Sequence, residues 1–350
     1  MKKMIFLICF YFLFNCSVLA TSAEIVIDAD TGRVLHGKNI NTQHLIASTT
    51  KILTALVVLN NKDLKDEVTV GDEVLEAYGS AIYIKPTEKY TIEELLYGLM
   101  LRSGNDAALS LAVATAESLD GFVYLMNQTA QNIGMKNSVF NNPHGLDEKT
   151  ENKSTVYDMA ILMMHAMKSE NFRKITSTTH YKFSSNDRVY DWYNKNKLLT
   201  DYKYATGGKI GYTKRARHTF VSSATKDGKN LIVASFIDPN QFVTHKNLYE
   251  QYFSQYDKYV LIDKDNLEIK YRCHPYTDES FSMLLKKDEV NKVQREVVLF
   301  KKAINEQNRL FVGNIYISLD NKVYKALKIY CDIPKEKESL LDRIKRRLKW

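Results

Sequence analysis

The chain has little of what interrupts or staples a fold. Five prolines and 14 glycines in 350 residues exclude collagen-like or long disordered tracts. No fixed-period repeat and no low-complexity segment is found. No CxxC, HExxH or other ligand cluster occurs, so neither metal nor organic cofactor is expected. Four cysteines are present, and two of them, Cys9 and Cys16, lie in the first 16 residues. The other two, Cys273 and Cys331, leave two readings open: one bridge within a C-terminal domain, or two separate buried thiols. The longest opening apolar run, Met4 to Phe14, is too short to span a bilayer comfortably. With Lys2 and Lys3 before it and small residues at Val18-Leu19-Ala20 and Thr21-Ser22-Ala23, it reads as a cleaved export signal over 1–23. Removing the two lysines takes the formal charge from +8 to +6, modest for the length, and no nucleic-acid partner is expected.

What is present is 45% hydrophobic residues, enough for a sizeable core and for two domains. "EIVIDADTGRVLHGKN" reads as two strands around the Asp30-Thr31-Gly32 turn. An apolar helix follows Ser48. "TIEELLYGLMLRSGNDAALSLAVATA" reads as two helices broken at Ser103-Gly104-Asn105, the first opened by a Thr91/Glu94 capping box. "STVYDMAILMMHAMKS" is an amphipathic helix capped by Ser154 or Thr155. "KNLIVASFID" is a central-strand candidate. The fold class expected is α+β, an antiparallel sheet flanked by helices over 24–256, whose edge strands come from both ends of the domain. From about Tyr256 short strands dominate, giving a smaller β-rich domain over 257–334. Residues 335–350 carry seven basic and three acidic residues, with Leu340, Leu341, Ile344 and Leu348 on one stripe. This reads as an amphipathic helix for an anionic membrane surface.

Ser48 and Lys51 stand three residues apart at the head of "LIASTTKILTALVVL". On a helix they share a face. An exposed lysine is a poor base, but burial disfavours its charge, and the run from Ile52 to Leu59 predicts burial. A neutral Lys51 can then take the Ser48 proton, at a helix start that favours developing negative charge. The competing reading is an N-cap serine with a snorkelling lysine. A second Ser-x-x-Lys, Ser223 and Lys226, runs into an Asp-Gly turn, which solvates its lysine. Ser103-Gly104-Asn105 can present a hydroxyl and an amide into a cleft. "ATGGKIGYT" places Lys209 at the start of an edge strand, where it either holds a carboxylate or blocks aggregation.

The ordered set at 48, 103 and 209 resembles the low-molecular-mass penicillin-binding proteins, the D-alanyl-D-alanine carboxypeptidases. "YGSAIYIKPTEKYTIEELLYGLMLRSGNDAA", "FNNPHGLD", "STVYDMA" and "NKNKLL" are similar to stretches of that family. So is the plan of a β-rich domain followed by an amphipathic anchor. The resemblance implies a β-lactamase/transpeptidase-like fold. It implies Ser48 as nucleophile, Lys51 as base and Ser103 as proton relay. Asn105, Lys209, Gly211 and Thr213 would bind substrate, with an oxyanion donor near Arg215 to His218. His144 reads as a turn residue near the cleft. The implied partners are peptidoglycan stem peptides, β-lactams and, through the terminal helix, the outer face of the inner membrane, in the periplasm. The rivals are a D,D-endopeptidase, a β-lactamase, or a penicillin-binding scaffold. Two departures stand out. Ile210 replaces the family's threonine, losing a hydrogen bond to a charged group worth ~1.5–3 kcal/mol, for which Thr213 or Arg215 are the nearby substitutes. Arg217 stands where the family often has glycine. Ser48→Ala is expected to abolish both labelling by penicillin and D-alanine release. Ser223→Ala is expected to leave both intact, and equal loss from it would move the nucleophile to the other motif.

Overall fold

Buried strands must satisfy two faces at once, and the strand sequences show how. In the computed structural model, which describes residues 22–333, β1 (Ala23–Asp28) turns at Gly32 into β2 (Val34–Lys38). Three later strands complete the sheet: β3 (Ala205–Thr213), β4 (Arg217–Lys226) and β5 (Lys229–Phe236). Their order is β2-β1-β5-β4-β3, antiparallel throughout. The edges therefore come from both ends of this region, and "KNLIVASFID" is central, as its branched run predicts. Ile25, Ile27, Ile232 and Ala234 point to one apolar core, whereas Val26, Leu231 and Val233 point to another. Both faces are covered, so the strands lose the polar alternation of a half-exposed sheet.

On the first face lies α1 (Lys51–Asn61), with every residue from Lys51 to Val58 buried. A helix apolar all round belongs in the middle of a bundle. It is surrounded by α2 (Ile92–Tyr97), α3 (Asn105–Ala116), α4 (Leu119–Asn132), α5 (Val156–Ala166) and α6 (Glu170–Ser177). The capping box is formed: Glu94 N–H donates to Thr91 Oγ1 at 3.2 Å and Thr91 N–H to Glu94 Oε2 at 2.8 Å. Thr155, not Ser154, caps α5. On the second face lies α7 (Gln241–Gln255), which packs Leu248, Tyr249, Tyr252 and Phe253 on Phe220 and Val233.

From Asp257 the chain is strand-built: β6 (Asp257–Ile262) pairs with β7 (Phe281–Leu285), and β8 (Gln294–Glu306), β9 (Arg309–Leu319) and β10 (Lys322–Asp332) form a meander. These strands share a third core that includes Met283, Ile315, Ile317 and Ile329. Cys273 and Cys331 are joined in a disulfide, which decides between the two readings. Arg33 ties this part to the sheet, donating to Leu284 O at 2.7 Å and pairing with Glu289 at 2.5 Å. The signal read over 1–23, apart from its last two positions, and the helix read over 335–350 lie outside the described residues. Among the described residues no single helix is long and apolar enough to cross a membrane.

One turn decides where α1 begins. In "FNNPHGLD", Asn142 Oδ1 accepts the N–H groups of Gly145 at 2.6 Å and His144 at 3.3 Å. Asn152 Nδ2 reaches Thr50 Oγ1 at 3.1 Å, and Thr54 Oγ1 donates to Pro143 O at 2.6 Å. Gly145 has φ +90°, and a Cβ there would lie 1.8 Å from Ala47 O. Gly134 has φ +88° but nothing within 4 Å of a Cβ. Gly134→Ala is thus expected to cost only the left-handed penalty of ~1–2 kcal/mol, and Gly145→Ala more than ~3 kcal/mol because backbone must also move. Urea unfolding of the two variants checks the difference, and equal costs would show that the turn is not tightly fitted.

Candidate active site

Ser48 does not cap α1. It sits in a 3₁₀ turn, Ala47–Thr50, that precedes the helix, and no side chain caps either element. Ala47 before it is held at φ 47°, an uncommon conformation for a residue with a Cβ. The turn aims the Ser48 hydroxyl at Lys51 Nζ, 3.2 Å away. Lys51 does not snorkel: it is 0% exposed. Its amine has two further partners, Asn105 Oδ1 at 2.7 Å and His144 O at 2.8 Å. The Asn105 orientation is fixed because its Nδ2 donates to Tyr78 O at 2.6 Å. Both carbonyl oxygens can only accept. A neutral amine has two N–H donors and one lone pair. Its donors satisfy the two carbonyls, and the lone pair is left for the Ser48 O–H.

Burial pushes the Lys51 pKa well below its usual value, and the Lys209 charge pushes the same way. Asp106 opposes this, but its carboxylate is committed elsewhere. It accepts N–H groups from Ile82 at 3.0 Å, Tyr83 at 2.7 Å and Ile84 at 3.3 Å, which folds the 78–84 loop along the site. Asn105 N–H in turn donates to Ser80 O at 2.7 Å.

Ser103 ends a π-type turn, Gly98–Arg102, that extends α2. It adopts φ 64°, ψ 34°, left-handed for a serine, and is 5% exposed. Such a conformation costs ~1–3 kcal/mol and persists only where surroundings impose it. It is followed by Gly104, where a Cβ would lie 2.9 Å from Asp106 Oδ1, and by Asn105 at the start of α3.

Lys209 is not at the start of its edge strand but in the middle of β3, and at 2% exposure it cannot serve as a solvated aggregation guard. Its Nζ donates to Ile210 O at 2.8 Å. Burial, then the charge of Lys195, lowers its pKa to about 7. Gly211 has a steric duty: a Cβ there would lie 2.8 Å from Ser48 N, so only glycine lets the strand approach the nucleophile this closely.

The strand's phase locates a second N–H donor. Gly208 N–H donates to Thr176 Oγ1 at 2.9 Å, and Thr176 Oγ1 donates back to Gly208 O at 3.3 Å. Ile210 O faces the same way. Both backbone groups of one residue share a side, and alternate residues share it. Tyr212 is next in phase, so its N–H leaves the sheet on the cleft side, beside Ser48 N. This corrects the expectation for Arg215 to His218. Arg215 is bound to Asp147 O at 2.5 Å and to the Glu151 carboxylate. Arg217 has φ 60°, which accounts for the glycine common at that position in the resembling family.

Thr213 is also corrected. Its hydroxyl donates to Asp147 Oδ2 at 2.6 Å and accepts from Ala216 N at 2.9 Å, so no donor remains for a substrate carboxylate. It pins the hairpin to the 147 loop instead. The Ile210 side chain packs with Phe220 and Phe242 in the second core, facing away from Lys209. His144 is both things expected of it, a turn residue and a wall of the site. Its ring accepts from Leu146 N at 3.1 Å, and burial, then Lys51, lowers its pKa to about 3. Ser223 and Lys226 do not meet: on a strand they face opposite ways. Ser223 Oγ bonds Thr206 at 2.8 Å, and Lys226 pairs with Glu250 at 3.0 Å. Sequence reasoning missed Asp106, Lys195 and the carbonyls of Tyr78 and His144. Among the described residues no group of three His, Cys, Asp or Glu is placed to hold a metal.

The D-alanyl-D-alanine carboxypeptidase family model matches residues 15–240. The chain is 33% identical over 303 residues to D-alanyl-D-alanine carboxypeptidase DacF of Bacillus subtilis, covering 80% of this chain and 77% of that one. The chain belongs to the D-alanyl-D-alanine carboxypeptidase family. It is 38% identical over 211 residues to the carboxypeptidase DacB2 of Mycobacterium tuberculosis, 60% of this chain and 72% of that one. Among solved structures it is similar to penicillin binding protein 5 of Haemophilus influenzae, at 25% identity and TM-score 0.73, covering 89% of this chain and 96% of that one. The β-lactamase/transpeptidase-like fold, a serine-type carboxypeptidase and a penicillin-binding, cell-wall role follow at the level of the family.

Two buried lysines share the cleft, and the order in which they lose protons matters. Burial lowers both, Lys209 to about 7 and Lys51 well below its usual value, and the charge on Lys209 lowers Lys51 further. Base and carboxylate anchor work together only where Lys51 is neutral while Lys209 is still charged. Acylation efficiency, as kcat/KM, is expected to rise as Lys51 becomes neutral and to fall when Lys209 becomes neutral at higher pH. In Lys209→Arg the falling limb should move to higher pH while the rising limb stays. A falling limb unmoved by that change would assign it to another group.

Proposed function

We propose that the protein removes the terminal D-alanine of peptidoglycan stem pentapeptides through an acyl-enzyme on Ser48. The observation that carries this is the fully buried Lys51 amine, held by two carbonyl oxygens with the Ser48 hydroxyl 3.2 Å away. Lys51 takes the Ser48 proton as Oγ attacks the carbonyl of the penultimate D-alanine. The oxyanion that forms is held by the N–H groups of Ser48 and Tyr212. Lys209, charged at this stage, attracts the terminal carboxylate, and Asn105 steadies the substrate amide. Ser103 gives its hydroxyl proton to the departing amine and is reprotonated by the Lys51 ammonium, so that the Ser48 proton ends on the leaving D-alanine, neutral at nitrogen. Water then hydrolyses the ester. β-Lactams enter at the first step and stop there. Ile210 presents its carbonyl, not its side chain, to the cleft, so the missing threonine hydroxyl leaves the acylating pair untouched.

The reading extends to location. The opening signal supports export. Ala23 is buried and pairs with Phe236 in β1, so cleavage after Ala20 keeps the strand whole. The basic stripe over 335–350 supports attachment to the outer face of the inner membrane.

Mass spectrometry after penicillin treatment, with the adduct mapped, is expected to place one acyl group on Ser48. D-alanine release from a pentapeptide is expected in parallel. Labelling without release would leave a scaffold, and release only from a cross-linked dimer would make the protein an endopeptidase.

A further inference from the structure

A cavity of ≈430 Å³ opens between the end of α5, the start of α6 and the sheet. None of Ser48, Lys51, Ser103, Asn105 or Lys209 lines it. Its volume falls within the ~300–1,000 Å³ of small-molecule sites. Ala29 and Ile232, on the sheet face that carries the first core, form an apolar floor, and Met164 of α5 and Met167 just beyond its end close it. Methionines adapt their shape to what they cover. A hydroxyl pair, Thr206 Oγ1 and Ser223 Oγ at 2.8 Å, is set into the wall.

The mouth carries Lys168 and Arg173. Two neighbouring cations are paired, Lys174 with Glu93 at 2.9 Å and Lys226 with Glu250 at 3.0 Å. Among the described residues neither Lys168 nor Arg173 has a carboxylate within ion-pair distance. Arg173 is nonetheless fixed, since its Nη1 donates to Met167 O at 2.7 Å and Lys168 O at 3.0 Å. The remaining N–H groups of its fork are therefore held in one place. The acid at the mouth, Asp30, is already engaged by Asn230 at 2.9 Å and Lys258 at 2.9 Å. An apolar interior under two uncompensated cations selects a small molecule of matching polarity.

We propose that this cavity is a second ligand site, separate from the catalytic cleft, for a free amphipathic anion: a single carboxylate or phosphate on a short apolar body. The head lies between Lys168 and Arg173, and the body lies over Ala29 and Ile232 beneath the methionines. This goes beyond the carboxypeptidase reaction and does not depend on it.

Calorimetric titration of the full chain at low ionic strength tests the site with octanoate, octylamine and acetate. Octanoate is expected to bind at one site, with octylamine and acetate at least tenfold weaker. The double variant Lys168→Gln/Arg173→Gln should weaken octanoate at least tenfold, while penicillin labelling reports that it is folded. Equal binding of octylamine, equal binding by the double variant, or no octanoate binding would overturn the site. Phosphatidylglycerol vesicles provide the remaining arm. If the double variant loses vesicle binding and the parent chain binds no octanoate, the cations serve a lipid surface and the proposal falls.

Discussion

A buried amine with three neighbours and only two obligate acceptors is the constraint on which the site rests. Asn105 Oδ1 and His144 O each accept from Lys51, at 2.7 and 2.8 Å, and among the described residues neither has another donor. Burial removes the water that would stabilise an ammonium. With the amine neutral, both acceptors are satisfied and one lone pair remains. The third neighbour, the Ser48 hydroxyl 3.2 Å away, can then donate to it. If either carbonyl were absent, the amine could rotate, and its lone pair would no longer be committed to Ser48. The base is thus oriented by hydrogen-bond accounting more than by helix geometry.

Three segments distant in sequence must converge for that accounting to hold, and each is held by its own buried polar clamp. Asp106 gathers the amides of the 78–84 loop, which brings Tyr78 O to Asn105. Asn142 and Asn152 tie the 140–147 turn to the head of α1, which brings His144 O to Lys51. Thr176 fastens Gly208, which brings the edge strand to Ser48. Each clamp satisfies backbone groups that would otherwise be costly to bury. The strained residues, Ala47 and Ser103, lie between clamps, where surrounding bonds can impose an unfavourable φ.

This explains which parts were legible in the sequence. Lys51's burial was readable because the apolar run after it leaves a helix no solvent face. The central strand was readable from branched residues, and the capping box from two side chains at fixed spacing. Ser48 misled in one respect, since Ser before an apolar run is also how an N-cap looks; only the intervening 3₁₀ turn separates the two. The carbonyls of Tyr78 and His144 left no trace, because every residue has one. The oxyanion donor was misplaced for the same reason: a backbone N–H has no residue type, and only the strand's phase assigns it to Tyr212. Thr213 looked like a substrate ligand by type and proximity. Asp147, 66 residues away, consumes its donor, and no local pattern reveals that.

The two lysines raise a last point about why the cleft needs both. A cation near the base is a cost if both must be charged together, since like charges in a poorly solvated space repel strongly. The cost becomes useful when the groups have different duties. Lys209 must be positive to attract a carboxylate, and its positive charge favours the neutral form of Lys51. Recognition and activation are then coupled, each favouring the other. An arriving carboxylate stabilises the charge on Lys209, and a fully charged Lys209 keeps Lys51 deprotonated until the serine proton arrives. That proton, once transferred, makes the Lys51 ammonium unfavourable in its place, which promotes its onward movement toward the leaving amine. A single lysine could bind the carboxylate or accept the proton, but it could not make the first act prepare the second.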